Sequence, residues 1–237
     1  MSKNNFSNSV LITGANRGLG LGFVRHYLKE GYSVIATARQ PQNAVELIEL
    51  SRSYPHHLSI EVLDVSDETS IASLAQKLVD QSVRLDIVLS NAGIVHEEPF
   101  GQWTMDGFET HFRVNTIGPA LFAQAIEPFF NQRAKLIQLT SGMGSIEWNI
   151  NPDHPLDAYA MSKSALNMLS RRLAEKLRSK AIIVISMNPG WVKTSMGGPE
   201  APTGIDEAIQ FMTSTIEKLT IEETGRCIAD DGKLIPW

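Results

Sequence analysis

What most constrains the fold of this chain is an alternation that runs its whole length: short apolar, β-branched runs separated by longer segments of helical period. That order marks βα units building a parallel sheet. The expected strands are Ser9–Thr13, Ser33–Ala38, Leu58–Val62, Leu85–Ser90, Lys135–Thr140 and Ile182–Met187, with a weaker one at Arg226–Ala229. The expected helices are Leu19–Glu30, Ala44–Arg52, Thr69–Gln81, Met105–Phe130, Leu156–Ser179 and Ile205–Lys218, the third capped by Ser66 or Asp67. The strands are nearly uninterrupted apolar runs, as required where helices cover both faces of a sheet. An α/β fold follows, a doubly wound parallel sheet of about seven strands with helices on both sides. No linker, low-complexity tract or repeat divides the chain, so a single domain is expected over residues 1–237.

Charge and composition exclude several classes of partner. The net charge of −5 offers no basic surplus for nucleic acid or an anionic membrane. The residues Met1–Ser9 are polar, with no apolar stretch of signal-peptide length. No run approaches the roughly 18 apolar residues of a membrane span. The lone Cys227 rules out an internal disulfide framework and fits a reducing compartment, so a cytoplasmic protein is expected. His56, His57 and His154 lack metal-ligand spacing with Cys or carboxylate partners, so no metal is expected.

The first strand runs directly into Thr13-Gly14-Ala15-Asn16-Arg17-Gly18-Leu19-Gly20 and then a helix. Glycines at such a turn let the backbone approach a pyrophosphate, and the helix N-terminus supplies free N–H groups and a positive dipole. The spacing is GxxxGxG rather than the commoner GxGxxG. At the end of the second strand, where an acid would receive the ribose hydroxyl of NAD, the chain reads Ala38-Arg39-Gln40. Arg39 can pair with a 2′-phosphate through its fork of donors, and Arg17 can reach the same group from the glycine turn. Two guanidiniums and no carboxylate favour NADP(H) over NAD(H). Asp64-Val65 and Asn91-Ala92-Gly93 follow the third and fourth strands, where adenine and ribose would lie. Asp64 can accept the adenine amino group, and Gly93 leaves room for backbone contact with the cofactor.

At the same carboxyl edge Ser141 follows the fifth strand, while Tyr159 and Lys163 stand four apart on the next helix. That spacing stacks a phenol and an ammonium on one face, about 5–6 Å apart between Cβ atoms. A nearby cation favours the phenolate and is expected to draw the tyrosine pKa down toward the working pH. Asn115 falls inside an expected helix, where an amide costs propensity and invites a functional explanation. Ser141 has no Gly-x-Ser-x-Gly elbow and no evident histidine partner, which argues against hydrolase chemistry.

Together, TGANRGLG at 13–20, Asp64-Val65, NAG at 91–93, Asn115, Ser141, YAMSK at 159–163 and Pro189-Gly190 resemble the short-chain dehydrogenase/reductase family over essentially the whole chain. Within it, the stretch 188–194 and the short ending 231–237 look most like the small carbonyl reductases of sniffer and C-factor type. The resemblance implies a Rossmann-type domain that reduces a small-molecule carbonyl with NADPH. Tyr159 would donate the proton, Lys163 would bind the nicotinamide ribose and lower the tyrosine pKa, and Ser141 would hydrogen-bond the substrate oxygen. Asn115 would hold a relay water, and Thr194, with the backbone at Val192, would bind the carboxamide. It also implies a homodimer or homotetramer through the helices around Asn115 and Lys163. The competing class is a signalling or sensing protein of C-factor type that binds NAD(P) with little turnover. Seventeen residues separate Ser141 from Tyr159, several more than the family usually has. Ser145 is therefore a rival hydroxyl, and the extra loop, with Trp148 and Trp191, is expected to shape the substrate site.

Overall fold

The computed structural model describes residues 8–237, and residues 1–7, which entered the expectation of location, lie outside them. The strands are β1 Ser9–Ile12, β2 Ser33–Ala38, β3 Leu58–Val62, β4 Leu85–Ser90, β5 Phe130–Leu139, β6 Ile183–Asn188 and β7 Cys227–Ala229. They form one seven-stranded sheet in the order β3-β2-β1-β4-β5-β6-β7. Every pairing is parallel. The helices are α1 Gly18–Lys29, α2 Val45–Ser53, α3 Glu68–Asp80, α4 Met105–Phe112, α5 Gly118–Ile126, α6 Asp157–Leu177 and α7 Ile205–Lys218.

Neighbouring residues of one strand feed opposite cores, because successive side chains point to opposite faces. Ile12, Leu89 and Ile137 pack with Phe23 of α1 and Met212 of α7, whereas Leu11, Val88 and Leu136 pack with Leu74 of α3 and Phe122 of α5. Side chains such as Phe23 and Phe122 are fully buried, and each contributes roughly 1.5–3 kcal/mol of apolar burial. This double-sided burial explains the continuous apolar runs in the sequence.

The doubly wound architecture is the expected one, with shifts at the element ends. Asp67 rather than Ser66 caps α3, its carboxylate accepting from the Thr69 amide at 2.9 Å. The single helix expected over Met105–Phe130 is instead α4, a π-turn at Arg113–Ile117, α5 and a 3₁₀ turn at Glu127–Phe129. The widened turn is centred on buried Asn115, whose amide is drawn to the segment after β4. Strand β5 then starts at Phe130, earlier than the expected Lys135, with a register shift opposite Leu85–Ile87. No helix among the described residues is long and apolar enough to cross a membrane.

Register and connectivity fix where a ligand can bind. Ile12 stands opposite both Ala36 and Leu89, Leu89 opposite Ile137, and Ile137 opposite Ile185, so four neighbouring strands end nearly level with β1. The strand order reverses between β1 and β4, which opens a crevice at that edge.

Candidate active site

A cavity of about 750 Å³ occupies this crevice, running past the glycine turn to Tyr159. At its glycine-turn end Thr13 and Asn91 lock two strand ends together. The Thr13 hydroxyl accepts from the Asn91 and Ala92 amides at 3.0 and 2.9 Å, while the Asn91 side chain donates to the Thr13 and Gly14 carbonyls at 2.8 and 3.1 Å. Gly14 sits at φ +63°, and a Cβ there would lie 3.0 Å from the Ala92 Cα, so the turn needs glycine on both counts. Gly14, Asn16, Arg17, Gly18 and Leu19 line the cavity. Gly20 lies outside that lining, and a Cβ there would come within 2.2 Å of the Gly14 carbonyl, so glycine at this position lets α1 pack beneath the turn.

Arg17 and Arg39 are exposed at the cavity edge, and among the described residues neither pairs with a carboxylate. Asp64, Val65, Asn91, Ala92 and Gly93 also line the cavity. One oxygen of Asp64 is engaged by the amide and hydroxyl of Ser66, at 2.9 and 2.6 Å. From β6, Pro189, Gly190, Val192 and Thr194 close the other wall. The Thr194 hydroxyl accepts from the Gly197 amide at 3.0 Å, and its methyl would lie 3.6 Å from a Cβ on Gly18, so this loop folds back over the glycine turn.

At the chemical end the structure brings Ser141, Tyr159 and Lys163 together. Lys163 is 5% exposed and donates to the Leu139 carbonyl at 2.8 Å, with its ammonium 5.8 Å from the Tyr159 ring centre. Burial pushes the Lys163 pKa down to about 8. Burial also raises the Tyr159 pKa, and a hydrogen bond with Ser141 works in the opposite direction. The Tyr–Lys spacing pointed to an acidified phenol; dehydration of the phenolate sets the direction instead, while the Lys163 ammonium donates to a backbone carbonyl.

Ser141, not Ser145, faces the cavity. Ser145 is 2% exposed and accepts from the Trp148 amide at 3.1 Å, so it pins the start of the long loop. Trp191 lines the cavity and Trp148 does not. Loop residues Ile150, His154 and Leu156, with Val95, Met143 and Met196, also line the wall. Met143, Ile150, His154 and Leu156 belong to the extra loop between Ser141 and Tyr159, whereas Val95 and Met196 carry no motif and were missed by sequence reasoning. Asn115 is fully buried and stands behind the wall: its Oδ1 accepts from the Ile94 amide at 2.9 Å, and its Nδ2 donates to the Ile94 carbonyl and the Ser162 hydroxyl, each at 3.0 Å.

The cavity fits a nicotinamide dinucleotide in its chemistry. It joins a glycine-lined helix N-terminus, two unpaired guanidiniums and a proton-bearing group in one continuous space. At Gly93, a Cβ would stand 3.2 Å from Asn115 Oδ1 and 3.6 Å from the Lys163 ammonium, so glycine here keeps the close fit between the cavity floor and these two groups.

Comparison with known proteins identifies the family and its structural neighbours. Residues 8–203 match the family model described as short chain dehydrogenase. The fold superposes on the NADPH-bound carbonyl reductase from chicken fatty liver with a TM-score of 0.92 at 33% identity, covering 98% of this chain and 99% of that one. It superposes on the carbonyl reductase Sniffer of D. melanogaster with a TM-score of 0.90 at 29% identity, covering 98% and 100%. C-signal of Myxococcus xanthus is 33% identical over 65% of this chain and 93% of its own length. With the glycine turn, the Ser141, Tyr159 and Lys163 cluster and the parallel sheet all in place, the chain belongs to the short-chain dehydrogenase family and has sniffer-type carbonyl reductases among its structural neighbours.

Proposed function

We propose that this oxidoreductase uses NADPH to reduce the carbonyl of an aldehyde, ketone or quinone, with Tyr159 as the acid. The observation that carries the reading is the convergence of Ser141, Tyr159 and buried Lys163 at one end of a cavity edged by two unpaired arginines. When bound, reduced nicotinamide supplies the hydride. The turn from Gly14 to Leu19 would hold the pyrophosphate, and Arg17 and Arg39 the 2′-phosphate. Asp64, Val65 and the segment 91–93 would hold the adenosine side. Pro189, Gly190, Val192 and Thr194 would hold the nicotinamide end.

Tyr159 gives its phenolic proton to the substrate oxygen as that oxygen gains negative charge, and Ser141 donates a second hydrogen bond there. The Lys163 ammonium then offsets the phenolate left behind. Both hydrogens of the Asn115 amide are used within the protein, so any relay water near it rests on other atoms. Apolar lining from Val95, Met143, Ile150, Leu156, Trp191 and Met196 suits substrates with an apolar body, and the short segment 195–204 leaves the site open to a range of small and medium carbonyls. Assembly as a dimer or tetramer is supported by exposed Ile117, Met161 and Met168 around the helices that carry Asn115 and Lys163. A cytoplasmic setting is supported by Cys227, the one cysteine, which is buried and free.

The similarity to C-signal supports a second reading, a nucleotide-binding sensor with little turnover. NADPH oxidation with a panel of dicarbonyls and quinones separates the two. Turnover by the wild type, lowered about 10²- to 10⁴-fold in Tyr159→Phe, is the expected result. Equal activity in both proteins defeats the assignment of the acid, and nucleotide binding without turnover on the panel supports the sensor.

A further inference from the structure

His111 and Asn115 lie four residues apart where α4 runs into the π-turn, so their side chains leave one helix face. Both grip the same segment after β4. Asn115 holds the Ile94 amide and carbonyl, and Nε2 of His111 accepts from the His96 amide at 3.0 Å. Val95, between the two grips, and Glu97, just beyond, line the cavity.

The partners of His111 define its tautomer. Nδ1 lies 2.8 Å from the Gly107 carbonyl, which can only accept, so Nδ1 carries the proton and Nε2 offers its lone pair to His96. The side chain is 1% exposed. Its ring meets the Tyr159 ring edge-to-face, with centres 6.5 Å apart and planes at 71°. Turning that ring would break two hydrogen bonds at once, so the phenol leans on a fixed surface.

We propose that His111 is a positioning residue, holding the cavity wall at 94–97 through Nε2 and the Tyr159 ring through its own. The second half rests on the reading of Tyr159 as the acid. If the histidine were inert filling, an aromatic of similar size would replace it without effect.

The test compares His111→Phe, which keeps a ring and loses both hydrogen bonds, with His111→Gln, which restores an acceptor for the His96 amide. We expect His111→Phe to lower kcat by about 10- to 100-fold, as for a misplaced catalytic group. Nucleotide affinity should stay unchanged and the His96 amide should exchange faster with solvent; His111→Gln should restore that protection while kcat stays low, because it brings no ring to Tyr159. Wild-type kcat in His111→Phe, a fall in nucleotide affinity in step with kcat, or no return of His96 amide protection in His111→Gln would overturn the proposal. The native protein supplies a check that needs no variant: ring nitrogen NMR must find the His111 proton on Nδ1, with the His96 amide protected. A proton on Nε2 sinks the clamp even if the variants fail to fold. Absence of turnover in the wild type would remove the role toward Tyr159 as acid, while the same spectra still decide the grip on 94–97.

Discussion

Lys163 carries its charge into a buried position, and the consequence is a pH dependence of known sign. Burial lowers its pKa to about 8, so the ammonium dominates below that value and is lost above it. Tyr159 moves the other way, and its raised pKa keeps the phenol protonated through the same range. Carbonyl reduction needs both protonated: the phenol to give its proton, and the ammonium to balance the charge left behind. The profile of kcat/KM, which reports the free enzyme, should therefore be flat below about 8 and fall toward tenfold per pH unit above it. A profile that rises with pH across that region would show that the reactive form is the phenolate, and would assign the site to oxidation of an alcohol. Tyr159 and Lys163 were legible as a pair from their spacing, but the direction of the tyrosine shift was not. Burial depends on the packing of α6 against the strand ends, which four residues of sequence do not contain.

At the scale of elements, the site depends on how firmly β1 is joined to β4. Asn91 supplies that joint with two hydrogen bonds to the carbonyls of Thr13 and Gly14. Asn91→Ala leaves those partly buried acceptors without their donor, so a loss of about 1–3 kcal/mol in stability is expected, measured as a lower urea midpoint. Because the same carbonyls shape the glycine turn, nucleotide affinity should fall as well; an unchanged Kd would mean that the turn holds its form without this tie. The strands themselves were legible because burial on both faces leaves continuous apolar runs. The π-turn was not, since it is set by Asn115 reaching across to Ile94, a contact between distant parts of the chain. The early start of β5 was hidden by the polar run Asn131-Gln132-Arg133, in which Arg133 takes φ +63° beside the register shift.

Across the whole molecule, the topology separates recognition from chemistry. The neighbouring strands β1 and β2 bring Arg17 and Arg39 to one side of the switch point, while β5 and α6 bring Ser141, Tyr159 and Lys163 to the other. The chain as a whole carries a net charge of −5, which does not favour a polyanion, so nucleotide attraction has to come from local cations. Arg39→Ala removes one of them without touching the chemical end. If that guanidinium holds the 2′-phosphate, the loss is a charge-assisted hydrogen bond of about 1.5–3 kcal/mol, or about 10- to 100-fold in the Kd for NADPH. NADH, which lacks that phosphate, should bind nearly as before, and kcat at saturating NADPH should be kept because the reacting groups stand across the cavity. Added salt should narrow the difference between wild type and variant, since the pair is exposed and screened. Equal losses for NADPH and NADH would place Arg39 against a part common to both nucleotides, and the missing acid after β2 would then no longer explain a preference for the phosphorylated form.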